Sequence, residues 1–250
     1  MKNSTHTLGR VLLAAVSFAL ASTVASAAGI DLASTADTYV RSDNYNTNFG
    51  SASELWIGQL APTPQSPTPV PFRTLLAFDL SAIPANAVIN SVSLTLQQVV
   101  EDGSSTIGSI TVNLYLADPF TESTATWNNT QSGAPGSTVL SSSAVSLRPS
   151  RGSGSYGLPA SVTWSSSAAF VDAVQTAYNA GTSISFLLAD ADESDTVRQL
   201  LKFASRENTA LVPKLTIDYT VTPIPEPATV AMLLGAGMFG VAVALRCRRA

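Results

Sequence analysis

The chain has 250 residues, of which only 12% are charged, and a formal net charge of −4. Its single histidine, His6, and single cysteine, Cys247, lie near the two ends, so the stretch from Ala28 to Thr222 holds neither; that excludes from it a disulfide framework, Cys/His zinc sites, His-based triads and cysteine nucleophiles. The same stretch carries eight basic residues against sixteen acidic ones, a surplus that repels phosphate backbones and argues against a nucleic-acid partner.

The first 27 residues have the layout of a secretory signal. Lys2 and Arg10 make a positive start, Val11 to Leu20 an apolar core, and Ala25-Ser26-Ala27 a small-residue cleavage site. Cleavage after Ala27 is expected. With both ends read as targeting sequence, roughly 190 to 200 residues remain, the size of one domain.

Asp37 to Arg41 ("DTYVR") predicts the first strand, and "SDNYNTNFGS" a loop, by its Asn and Gly residues. Glu54 to Gly58 predicts a second strand. "APTPQSPTPVP" is an extended connection whose five prolines each lack a backbone donor. Phe72 to Asp79 is apolar and of strand length. "VINSVSLTLQ" alternates, placing Val88, Asn90, Val92, Leu94 and Leu96 on one face, and "SITVNLYLA" does the same with Ile110, Val112, Leu114 and Leu116. Asp102-Gly103 then predicts a hairpin joining the two. Glu122, Thr126, Trp127, Asn128 and Asn129 read as a strand end and an Asn-rich turn, with Trp127 in the core rather than offered to a ligand.

Arg148 and Arg151, beside Tyr156 in "LRPSRGSGSYG", form a small basic spot with an aromatic ring, a candidate glycan contact. Tyr45, Trp56 and Trp164 are further aromatic candidates. A helix is expected between the N-capping serines 165–167 and Gly181, with Phe170, Val171, Val174, Ala177 and Tyr178 on its apolar face. "SISFLLA", "LLKFAS" and "PKLTIDY" predict three more strands, the last with Leu215, Ile217 and Tyr219 inward. Between the first two, Asp190, Asp192, Glu193 and Asp195 fall within six residues. Oxygen donors at that density suit Ca²⁺, although the glycine and distal glutamate of an EF-hand loop are missing; a solvated acidic turn is the plainer reading. Asp37 with Asp43, Asn44 and Asn46 is a second candidate Ca²⁺ site.

Eight or more short strands with one helix, and no βα alternation, predict an all-β fold: an antiparallel β-sandwich of jelly-roll type over residues 28–220, its one short helix covering an edge or an end. For chemistry, only Asp, Glu, Tyr, Lys, Arg, Ser and Thr remain. A carboxylate pair acting on a glycoside is the alternative to a non-catalytic protein, but no nucleophile elbow or SxxK motif is present. No enzymatic activity is expected.

Residues 221–250 have three parts. Pro225, Glu226 and Pro227 come first, then an uncharged apolar stretch at 228–245, then a basic tip at 246–250 with Arg246, Arg248 and Arg249. The stretch is near the lower limit for a membrane helix, and the arginines would remain on the cytoplasmic side. The order and spacing resemble the PEP-CTERM sorting signal of Gram-negative bacteria. That resemblance implies an exosortase-type sorting enzyme as partner, processing near Pro-Glu-Pro, and only transient membrane anchoring before release to the cell surface or extracellular matrix. An ordinary single-span anchor is the alternative.

The middle also resembles a known family. "ADTYVRSDNYNTNFGSASELWIG", "RTLLAFDLSAIPANAVINSVSLTL", "PFTESTATWNN" and "FASRENTALVPKLTIDYT" occur in that order from Ala36 to Thr220. The ordered set resembles the DNRLRE family of bacterial extracellular β-sandwich domains. The family is related to carbohydrate-binding modules, some of which recognise acidic polysaccharides such as alginate. The resemblance implies contact with extracellular polysaccharide or neighbouring matrix components. Within these motifs, Arg73, Asp79, Arg206 and Glu207 are expected to be structural.

Overall fold

Each of the last three strands of the folded part is inserted between two strands formed much earlier in the chain. The computed structural model describes residues 26–99, 108–130, 138–147 and 160–221. Its strands are β1 (Ser26–Ala33), β2 (Ala36–Arg41), β3 (Glu54–Leu60), β4 (Val70–Phe78), β5 (Ala87–Gln98), β6 (Ser109–Ala117), β7 (Val139–Ser146), β8 (Ala160–Trp164), β9 (Ile184–Asp190), β10 (Gln199–Ala204) and β11 (Lys214–Val221), with helix α1 at Ala168–Ala180. The hydrogen-bonded path runs β1-β11-β5-β10-β3-β4-β9-β6-β7, with β2 added to β4 and β8 to β5. All these pairings are antiparallel. Thus β11 separates β1 from β5, β10 bridges β5 and β3, and β9 separates β4 from β6.

The path doubles back into a sandwich. Leu32, Leu94 and Ile217, from β1, β5 and β11, share one buried cluster with Leu76, Val112 and Phe186, from β4, β6 and β9. Strands far apart on the path pack together only if the sheet folds over on itself. β4 and β9 are buried on both faces: Leu76 and Leu188 join the main core, while Leu75 and Leu187 join a smaller cluster under Phe120 and Trp127. Their apolar runs are therefore continuous rather than alternating.

Helix α1 forms where expected. Ser167 caps it by accepting from the Phe170 N–H, and Gly181 closes it at φ 66. Phe170 and Val174 enter the core. The second half of the helix also serves the start of β5: Gln175 Oε1 accepts from the Ile89 N–H (2.8 Å), and Tyr178 Oη accepts from the Ala87 N–H (3.1 Å) while donating to the Pro84 carbonyl (2.7 Å). These bonds occupy backbone donors on an edge where β8 reaches only residues 94–98.

The structure corrects several local readings. In β5, Asn90 has no partner in β11 and the register slips there. The bulge reverses the alternation, so Ile89 is buried and Val88 is 55% exposed. In β6 the alternation holds but both faces pack: Leu114 joins the main core, Tyr115 and Ala117 join the smaller cluster, and Leu116 is 48% exposed. β5 and β6 do not form a hairpin, because β6 lies between β9 and β7. Asp102 and Gly103 are outside the described residues. Strands β1, β7 and β8 carry too little apolar periodicity to stand out; β1 pairs from Ser26 onward with β11.

Candidate functional site

Two constellations stand out, both built from the motifs quoted above. The first is a column of rings on β2, β3 and β4. Tyr39 stacks on Phe49 at 4.4 Å and on Trp56 at 5.5 Å, and Trp56 stacks on Phe72 at 5.5 Å. Cations flank it: the Arg41 guanidinium lies 4.7 Å from the Phe72 ring centroid, and the Lys202 ammonium 4.8 Å from that of Trp56. Tyr39 and Phe72 are buried, whereas Phe49 and Trp56 are half-exposed. Tyr45 is 53% exposed on a loop braced by the Asn128 N–H to the Tyr45 carbonyl (3.1 Å) and by Asn128 Nδ2 to Asn46 Oδ1 (2.7 Å). Rings with one open face and polar neighbours are the elements that hold a sugar.

The second constellation joins three segments distant in sequence. Asp37 on β2, Glu122 after β6 and Glu207 after β10 each bring a carboxylate oxygen within 4.8 Å of the others. Asp37 Oδ2 accepts from Ser34 Oγ (3.2 Å) and from the Arg206 N–H (2.8 Å). Glu122 Oε1 accepts from the Asp37 N–H (2.8 Å), and Glu122 Oε2 from Arg206 Nη1 (2.8 Å). Arg206 Nη1 is also 3.7 Å from Glu207 Oε1. Burial pushes the Asp37 carboxyl up to about 7, with the Glu207 and Glu122 charges adding to the rise against the backbone bond from Arg206. The loop fits closely: Asn48 Nδ2 donates to the Glu122 and Ala125 carbonyls (2.6 and 2.8 Å), and a Cβ on Gly50 would lie 2.4 Å from the Glu122 carbonyl oxygen.

The acidic run after β9 is arranged differently. Glu193 forms a two-point ion pair with Arg73 (2.8 and 2.7 Å), and the same guanidinium lies 4.6 Å from the Trp127 ring centroid. Asp192 accepts from Ser194 N–H and Oγ; Asp195 accepts from the Val197 N–H and Gln199 Nε2. Asp190 Oδ1 accepts from the Asp192 N–H, leaving Oδ2 buried without a partner. Burial lifts its carboxyl to about 6, with its acidic neighbours adding to the rise. None of the four belongs to the converging set at Asp37. In the second candidate site, Asp43 is paired with Arg41 and Asn46 accepts from Asn128; of that proposal, only Asp37 joins the convergent group.

Trp164 is not a surface ring: it is fully buried, and its Nε1 donates to the Val112 carbonyl (2.8 Å). Trp127 packs against the smaller core cluster. Arg148, Arg151 and Tyr156 lie outside the described residues, as do Pro225, Glu226, Pro227, Arg246, Arg248 and Arg249. No helix among the described residues is long and apolar enough to cross a membrane, and the expected span at 228–245 falls outside them.

Residues 28–147 match the model of carbohydrate-binding module family 96. Residues 223–249 match the PEP-CTERM protein-sorting motif. No curated protein matches the chain. Together the two matches support an exported, non-catalytic carbohydrate-binding surface protein that is held transiently in a membrane. The match to a carbohydrate-binding module covers 120 of the 250 residues, and the likeness to the DNRLRE family stays a resemblance. The module match ends within one residue of β7, yet β9, β10 and β11 are interleaved with the matched strands. The sheet that carries the module is therefore completed only by residue 221.

Proposed function

We propose that the protein is exported, processed by an exosortase-type enzyme near Pro225-Glu226-Pro227, and left at the surface or in the extracellular matrix of a Gram-negative bacterium. There its sandwich contacts exopolysaccharide or other matrix components without catalysis. The observation that carries this reading is a folded unit whose residues 28–147 match a carbohydrate-binding module, followed by a sorting motif at residues 223–249. An exposed ring supports the reading physically: Tyr45, 53% exposed, offers an aromatic face to C–H-rich sugar rings.

Two measurements test it. The full chain in detergent, applied to a glycan array and to bacterial exopolysaccharide, retains glycan without releasing product. Tyr45→Ala, on an exposed ring, lowers the affinity about tenfold with no change in melting temperature. Product formation would reverse the reading in favour of a carboxylate-dependent enzyme. In cells, the mature protein lacks Met238 and Phe239 by mass spectrometry; their retention would leave a plain membrane anchor.

A further inference from the structure

We propose that Asp37, Glu122 and Glu207 form a calcium site that clamps β2, the segment after β6 and the turn between β10 and β11 at one end of the sandwich. Charge is the first argument. Three carboxylates converge on one cationic side chain, Arg206, which leaves a surplus of two negative charges when all are ionised. One divalent ion balances that surplus.

The second argument is a buried acceptor with no partner. Asp37 is only 1% exposed, and its Oδ1 receives no hydrogen bond. A buried carboxylate oxygen without a donor carries its full desolvation cost. Arg206 does not relieve it: the residue serves Asp37 through its backbone N–H on Oδ2 and sends its guanidinium to Glu122 and Glu207. A metal ion is the partner that Oδ1 lacks. Each oxygen of Glu122 already accepts one hydrogen bond and keeps a second lone pair for a metal.

The chemistry of the donors selects the ion. All are carboxylate oxygens, and the folded part offers no His or Cys, so a hard cation is favoured over zinc. Oxygens within 4.8 Å of one another fit around an ion with bonds of about 2.3–2.6 Å, the calcium range. Magnesium gives up its water reluctantly, which suits a buried Asp37 poorly. The three ligands come from segments joined by no strand pairing to each other, so an ion there ties separate parts of the fold.

The test uses the full chain in detergent, stripped with chelator and titrated with calcium chloride. Calorimetry is expected to give one site with Kd on the order of 10⁻⁴ M. With 5-mM-scale calcium the melting temperature should rise by about 5 °C or more. Asp37→Asn and Glu207→Gln should each weaken binding at least tenfold; Glu207 is exposed at the rim, so its variant keeps the fold if Asp37→Asn does not. Arg206→Ala separates an ion site from a plain salt-bridge cluster: removing its positive charge should preserve or strengthen calcium binding. Absence of heat and of any melting shift, in both the parent and Arg206→Ala, would overturn the proposal. So would a calcium response that persists unchanged in Glu207→Gln, since the ion would then bind elsewhere.

Discussion

The two acidic regions differ in how their carboxylates come together. Asp190, Asp192, Glu193 and Asp195 are neighbours in sequence; Asp37 lies 85 residues from Glu122 and is brought to it only by the sheet. The dense run largely satisfies itself: Asp192 and Asp195 turn back onto N–H groups two residues ahead, the usual habit of Asp in turns, and Glu193 takes Arg73. Each region leaves one buried oxygen unserved, Asp190 Oδ2 in the run and Asp37 Oδ1 in the trio, but only the trio, among the described residues, brings three carboxylate oxygens within 4.8 Å of one another around one arginine. Density in sequence is thus a weak guide to a shared site, because adjacent acids have adjacent backbone donors to occupy them.

The strongest way to break this contrast is to remove Arg73. Its pair with Glu193 is largely buried, and Arg73→Ala leaves that carboxylate uncompensated and removes the cation over Trp127. Destabilisation of about 3–5 kcal/mol is expected in urea denaturation. Replacing both partners by apolar residues of similar size should recover most of that loss, because neither charge is then stranded.

Next in size is the pH dependence of Asp190. Its folded pKa, about 6, lies above the ordinary aspartate value. The folded state therefore binds the proton more tightly than the unfolded chain. The stability this contributes is fully present below pH 4 and lost as pH rises through 6. Relative to Asp190→Asn, the parent should lose about 2–3 kcal/mol between pH 4 and 7. Comparing the two proteins cancels every other titrating group; parallel stability curves would show that Asp190 is not held in its acid form.

A smaller effect tests the fit around Glu122. A Cβ at Gly50 would press on the Glu122 carbonyl at 2.4 Å, and Gly50→Ala should cost about 1–3 kcal/mol through displaced backbone. If calcium binds as proposed, this variant also shows a weaker calcium response, although Gly50 contributes no ligand.

Much of the fold could be read from residue patterns, and the gaps have physical causes. β4, β5, β6, β9, β10, β11 and α1 declare themselves through apolar runs, alternation or caps. β1 ("SAAGIDLA") and β7 ("VLSSSAVS") do not: they pair along a sheet edge with small and polar side chains mostly outward. The bulges at Asn90 and Leu140 each add one residue to one strand, and period-two reasoning has no signal for that. Trp164 was discernible in principle, since Val162 and Trp164 alternate with Ser161 and Thr163 in a buried β8 pairing. For the convergent site, sequence inspection marked Glu122, Arg206 and Glu207 as structural residues in two motifs and placed Asp37, from a third, in a candidate calcium site with Asp43, Asn44 and Asn46. That the motifs share one site follows only from the interleaving of β10 and β11 among earlier strands, a long-range fact no local window contains.

The smallest expected effect is also the sharpest test of the difference between the two acidic regions. Asp192 is solvent-exposed, and its carboxyl is held below the usual range by its bonds from Ser194. Asp195 occupies the Val197 N–H and Gln199 Nε2 in the same way. If these residues only build turns, Asp192→Ala leaves the urea midpoint almost unchanged and Asp195→Ala costs about 0.5–1 kcal/mol, the worth of one local side chain-to-backbone bond. Their calcium-dependent melting shift should equal that of the parent. A loss of that shift in either variant would move the ion to the dense run after β9 and make sequence proximity the better guide after all.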